Sequence, residues 1–201
     1  MGVRIHKVNE CPTPLGDVIV SNHMGFLDIP IMLSCFPAVF VIKAEMTKAF
    51  FFGKALMKQG HVFVERGSMN SRRKASEELI QVLKDGDRIV VFPEGRASPK
   101  AKRPPFKPFS FAAVQQLDKR IQLCAIDYLP DRSMLEWDVR KSTFAQLAGL
   151  LGRRRIDVSL EFFPAEKVED PRQLAKDYHA LIQGRLEAHD QEREAGTAVS
   201  G

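Results

Sequence analysis

The chain has 201 residues, enough for one sizeable hydrophobic core, and its balance of 44% hydrophobic and 27% charged residues excludes a largely disordered protein. The net charge is +5, yet from Glu187 to Gly201 there are four acids and one base, so the basic excess lies in the body and suits an anionic partner. Three scattered cysteines without a Cys-x-x-Cys pair argue against a disulfide framework or a zinc site, and no apolar run approaches the roughly 20 residues that span a bilayer.

Short β-branched runs alternate with longer helical segments. In chain order the pattern predicts a strand at Asp17–Ser21, a helix at Asp28–Cys35, a strand at Ala38–Ile42, a helix at Lys48–Met57 and a strand at His61–Val64. A helix at Asn70–Lys84 follows, stopped by Asp85-Gly86-Asp87, and then a strand at Arg88–Phe92. The stretch Arg96–Lys107, with five basic residues, three prolines and no acid, reads as a loop. A helix at Pro108–Asp118, strands at Ile121–Tyr128 and Ile156–Phe163, and helices at Thr143–Leu151 and Pro171–Ala188 complete the series, with Asp170 capping the last. Such alternation predicts a single α/β domain over residues 1–190, with a mixed, largely parallel sheet flanked by helices and a disordered C-terminal tail at 191–201.

His23 and Asp28 are five residues apart. On one regular helix they would sit about 140° apart and could not meet. With His23 in the loop after a strand, Gly25 in the turn and Asp28 opening the next helix, the chain can fold back and join them. A carboxylate on one imidazole nitrogen makes the other a better base for an alcohol proton. The pair alone fits better a helix-capping aspartate beside a backbone-bonded histidine. Phe92-Pro93-Glu94-Gly95 ends a strand, where Glu94 could bond a substrate hydroxyl and Gly95 admit a ligand close to the backbone. Arg66, just past another strand, has a planar fork suited to phosphate. Phe50-Phe51-Phe52, among lysines, could line an acyl groove or dip into a membrane surface. His61 reads as a strand residue and Cys124 as core.

In this order and spacing the pieces resemble the phospholipid/glycerol acyltransferase family. Its pattern runs Asn-His, four residues, Asp (Asn22, His23, Asp28). It continues with Lys43, Glu45, Phe52 and Gly53, then Gly60 to Arg66, Phe92 to Gly95, and Phe106-Lys107. The likeness extends from about Val18 to Tyr128. It implies a glycerolipid acyltransferase fold and acyl transfer from an acyl-CoA or acyl-carrier-protein thioester to the hydroxyl of a lysophospholipid such as lysophosphatidic acid. By the same likeness His23 is the general base and Asp28 orients it. Arg66, with Glu94 and Gly95, would hold the acceptor's glycerol-phosphate part, and Arg96 and Lys107 are further substrate-binding residues. No metal or resident cofactor is implied, the acyl thioester being a co-substrate. The arginine after Glu-Gly stands one place early, as Arg96, and Phe109 occupies a position that is often glycine.

The basic loop and Arg153-Arg154-Arg155 then suit coenzyme A phosphates, an acidic carrier protein or anionic lipid headgroups. The expected location is the cytoplasm, peripheral at the cytoplasmic face of a membrane. A thioesterase or lysophospholipase, with water as acceptor, and a non-catalytic lipid-binding module are the alternative readings. Nucleic acid is not an expected partner: there are two tyrosines, one tryptophan and no recognised binding motif.

Overall fold

The computed structural model describes residues 2–9, 14–43, 60–64, 69–98, 103–129, 132–135, 148–150 and 152–199. The expected helix at Lys48–Met57, most of that at Thr143–Leu151, Phe50–Phe52, Glu45, Gly53 and Arg66 lie outside the described residues.

The strands are β1 (Gly2–Lys7), β2 (Val18–Ser21), β3 (Val39–Lys43), β4 (Val62–Val64), β5 (Ile89–Val91), β6 (Arg120–Leu129), β7 (Arg155–Phe162) and β8 (Glu166–Lys167). The helices are α1 (Asp28–Cys35), α2 (Met69–Lys84), α3 (Phe109–Gln116) and α4 (Pro171–Val199), and a short 3-10 turn spans Arg132–Leu135. All eight strands form one sheet in the order β1-β7-β6-β2-β5-β3-β4, with β8 also on β6. The pairings β1–β7, β2–β5, β2–β6, β3–β4 and β3–β5 are parallel, and β6 pairs antiparallel with β7 and β8. The sheet is therefore mixed and mostly parallel.

Strand alternation splits the core into two layers. Val18, Val20, Ile89, Val91, Ile121 and Leu123 face one side, where they pack with Leu79 and Leu83 of α2, Phe111 and Val114 of α3, and Ile182 and Leu186 of α4. Ile19, Val90, Cys124, Ile126 and Tyr128 face the other side, against Ile31 and Met32 of α1. The β2 and β5 runs are buried on both faces, as parallel central strands are. Two turn signals act as their chemistry dictates. Gly86 adopts φ +86° after α2, and the Asp170 carboxylate accepts the N–H groups of Arg172 and Gln173 at 2.8 and 3.1 Å.

Three features depart from the sequence reading. β1 occupies a segment given no element: Gly2–Lys7 pairs residue by residue with Arg155–Leu160 and draws its order from that partner. β8 is likewise additional. The last helix does not stop at Ala188, and the tail expected to be disordered at 191–201 is helical through Val199. The reason is a set of tertiary ion pairs. Arg132 binds Asp190 at 2.5 Å and Arg193 binds Asp127 at 2.5 Å, so the charges near the helix end are tied to β6 and the 3-10 turn instead of being solvated.

Candidate active site

The sheet order brings the ends of β2 and β5 side by side. From β2 the chain crosses to β3 on the far side of β5; from β5 it returns across β2 to β6. Such a reversal opens a crevice at the carboxyl ends of the strands. Asn22 and His23 follow β2 directly, and Phe92 to Gly95 follow β5.

Asn22 extends the β2–β6 ladder after the backbone has left it. Its amide donates to the Ile126 carbonyl and accepts the Ile126 N–H, both at 2.8 Å. The residue is fully buried, so this double bond fixes where His23 emerges. The chain then turns through Gly25 into α1, with Asp28 N–H on the Gly25 carbonyl at 3.3 Å.

Asp28 points back into that turn. Its Oδ2 accepts the His23 Nδ1–H at 2.6 Å, the Met24 N–H at 2.6 Å and the Gly25 N–H at 3.0 Å. Its Oδ1 accepts the Tyr128 hydroxyl at 2.8 Å. The Asp28 side chain is wholly buried while that of His23 keeps 21% exposure. The imidazole stacks on Phe92, with centroids 4.3 Å apart and planes 13° from parallel. With Nδ1 donating to the carboxylate, Nε2 is the unprotonated nitrogen of the neutral ring, and it makes no hydrogen bond among the described residues. Every ingredient of an oriented general base is present: a fixed tautomer, a fixed ring plane and a free basic nitrogen.

Glu94 takes a different place from the one expected. Rather than opening toward a ligand hydroxyl, its carboxylate is buried and occupied by protein donors. Arg103 Nε donates to Oε1 at 2.7 Å and Arg103 Nη2 to Oε2 at 3.0 Å, with both side chains fully buried. Oε1 also accepts the His23 N–H at 3.2 Å. Burial raises the Glu94 pKa above the usual carboxylate value, and Arg103 and the His23 N–H pull against that rise. Arg103 Nη2 also donates to the His23 carbonyl, which the Ser98 N–H reaches as well at 2.8 Å. Glu94 and Arg103 thus brace both backbone groups of the histidine.

Gly95 adopts φ +69°, and a Cβ built there would lie 3.0 Å from Lys107 Nζ. The Lys107 N–H donates to the Pro93 carbonyl at 3.1 Å, so the Phe106-Lys107 segment is pinned against the turn. Arg96 and Lys107 are exposed, as is Phe109 at the start of α3. His61 is buried and takes the Phe40 N–H on Nδ1 at 3.3 Å, and Cys124 is buried in the core, so neither joins the site.

Sequence reasoning missed Arg103 and Tyr128. Arg103 is one of five bases in a loop that reads as surface, and Tyr128 ends a core strand. Nothing local marks either, since their partners lie far along the chain. The Asn22 ladder, by contrast, could have been suspected from an asparagine directly after a strand.

Comparison with known proteins places the chain in a family. The chain is 28% identical over 115 residues to a 1-acyl-sn-glycerol-3-phosphate acyltransferase of Neisseria gonorrhoeae, an alignment covering 57% of this chain and 45% of that protein. It is 27% identical over 177 residues to a lyso-ornithine lipid O-acyltransferase of Brucella abortus, covering 80% of this chain and 66% of the relative. This chain therefore spans about half to two thirds of the length of these relatives. In fold it is similar to the crystal structure of the 1-acyl-sn-glycerophosphate acyltransferase PlsC of Thermotoga maritima, with a TM-score of 0.66, 21% identity, and coverage of 92% of this chain and 71% of that one. Residues 2–127 match the family model described as Acyltransferase, and the chain belongs to that family.

Proposed function

We propose that the protein transfers an acyl group from a thioester donor, acyl-CoA or acyl-carrier protein, to the free hydroxyl of a lysophospholipid. One observation carries the reading: His23 Nδ1 is held by buried Asp28 at 2.6 Å while Nε2 stays unbonded at the strand ends. Family membership and relatives named for two lyso-lipid acceptors support it.

In the reaction Nε2 takes the proton of the acceptor hydroxyl as that oxygen attacks the thioester carbonyl. Asp28 stabilises the imidazolium that forms. The tetrahedral intermediate collapses with loss of the thiolate, which takes the proton back from Nε2. Ester, thiol and neutral imidazole result, and no covalent acyl-enzyme is needed. Phe92 keeps the ring plane fixed, and the Glu94–Arg103 pair holds the loop that carries it.

The exposed cations Arg96 and Lys107, together with Arg66, are assigned to the acceptor's anionic headgroup. Lys107 Nζ lies close over Gly95, where an added Cβ would come within 3.0 Å of it, so this cation sits directly beside the turn that follows β5. No helix among the described residues is long and apolar enough to cross a membrane. Contact with the lipid is accordingly proposed as peripheral, through basic side chains at an anionic cytoplasmic face.

The test is acyl-thioester consumption by purified protein against a lysolipid panel, with both donor types. Turnover is expected only when a lysolipid is present, and His23→Ala is expected to slow it by about 10²–10⁴-fold. Free fatty acid released at full rate without acceptor would make the protein a hydrolase. Turnover unchanged in His23→Ala would refute the general-base assignment.

A further inference from the structure

The Glu94–Arg103 pair serves the backbone of the histidine, but one contact reaches the reacting pair itself from the far end of β6. We propose that Tyr128 is a positioning residue for acyl transfer: its hydroxyl fixes the Asp28 oxygen that His23 does not use, and so sets the orientation and basicity of the imidazole. The inference rests on the reading of His23 as general base.

The geometry singles the hydroxyl out. Asp28 Oδ2 has three donors, the His23 ring and two backbone N–H groups, whereas Oδ1 accepts the Tyr128 hydroxyl at 2.8 Å. Asp28 and Tyr128 are both fully buried, so no solvent reaches Oδ1 to replace that bond. Two oxygens held by donors from different elements fix the carboxylate plane; donors on one oxygen alone leave it free to pivot. The ring packs in the core layer around α1, and a phenylalanine fills the same space. Packing therefore explains the ring and leaves the hydroxyl unexplained.

The tyrosine is itself anchored from behind. Its N–H lies 2.9 Å from Asp127 Oδ1, and Arg193 of α4 donates to its carbonyl at 3.3 Å. Burial, with the adjacent Asp28 charge, pushes the phenol pKa well above its ordinary value, so the group stays a donor throughout the working range. A donor on Oδ1 draws negative charge from Oδ2. That lessens how strongly Asp28 stabilises imidazolium, so loss of the hydroxyl should strengthen that stabilisation.

The experiment compares wild type, Tyr128→Phe, Asp28→Asn and the double variant in acyl transfer to a lysolipid, each over a pH series. For Tyr128→Phe, kcat is expected to fall about tenfold with KM for the lysolipid within about twofold. The acid limb of its kcat/KM profile is expected to move to higher pH. The double variant should be no slower than Asp28→Asn, because the hydroxyl acts through that carboxylate. A Tyr128→Phe profile that overlays wild type, or a double variant showing the full product of both losses, would overturn the proposal. If Tyr128→Phe does not fold, fluorotyrosine placed at position 128 decides. This isosteric, stronger donor should move the acid limb to lower pH, and an unmoved limb rejects the role. Failure of the general-base reading looks different: His23→Ala would then keep wild-type turnover.

Discussion

Among the described residues two histidine–aspartate contacts have equal length and different surroundings. His23 meets Asp28 at 2.6 Å beside the ends of β2 and β5, and His6 meets Asp157 at 2.6 Å on the β1–β7 edge. Asp28 is wholly buried and its other donors are all neutral: two backbone N–H groups and a phenol. Its charge is left for the imidazole. Asp157 is partly exposed and shares its Oδ1 with the Arg155 guanidinium at 2.6 Å, while His6 is 42% exposed. There the charge is already met by an arginine and by water. A third pair, His189 with Asp127 at 2.9 Å, is neutralised in the same way, by Arg132 and Arg193. Contact distance thus does not make a general base. What distinguishes His23 is a buried carboxylate with no competing cation.

That contrast can be broken or sharpened by substitution. The largest structural effect is expected from Arg103→Met, which strands the buried Glu94 carboxylate. Loss of about 3–5 kcal/mol of stability is expected in denaturant unfolding, with much of it regained in Glu94→Gln/Arg103→Met. The sign of the pH dependence follows from the raised Glu94 pKa. A carboxyl raised in the folded state contributes most below its unfolded value and loses that contribution as pH rises through the folded one. The Arg103→Met deficit should therefore grow from acid to neutral pH. A pH-independent deficit would show that Glu94 is not the group being stranded.

Next in size is Arg132→Leu, which removes the guanidinium between Asp127 and Asp190. Earlier unfolding is expected, by about 3 kcal/mol, with faster hydrogen exchange in α4 beyond Ala188. His189→Ala and His6→Ala are expected to leave acyl transfer within about twofold of wild type, because neither imidazole serves the reaction. A large loss of turnover from either would erase the distinction drawn between the three pairs.

The smallest effect belongs to Asp157. Arg155, then His6, hold its carboxyl at about 2, below the ordinary aspartate value. A lowered folded pKa contributes stability above the unfolded value and loses it as pH falls through the folded one. Asp157→Asn should flatten the stability curve slightly between the ordinary value and about pH 2, and acid unfolding followed by circular dichroism reads it directly.

Much of this was legible in the sequence where the determinants are local. α1 begins and ends at the expected residues, Asp28 and Cys35, because a buried apolar run and an acidic first turn mark it. The strand runs at Val18, Ile89, Ile121 and Ile156 are β-branched and buried, and each was visible as such. The spacing permitted a His23–Asp28 pair at the junction but, taken alone, did not require one. β1 was not legible, since Gly2–Lys7 is mostly exposed and is a strand through its pairing with β7. The long α4 was hidden for a related reason: its last turns are polar, and Asp127 and Arg132 hold them from a distance. Glu94 was visible as a site residue but its role was not. The buried Arg103 that occupies it sits in a loop whose composition reads as solvated.

The most direct measurement is acyl transfer to a lysolipid by Asp28→Asn and Asp157→Asn, assayed side by side with wild type. Each change removes the carboxylate from a histidine 2.6 Å away. The account predicts a loss of about 10²–10⁴-fold for Asp28→Asn and wild-type turnover for Asp157→Asn. Full turnover in Asp28→Asn, or equal losses in both, would contradict it.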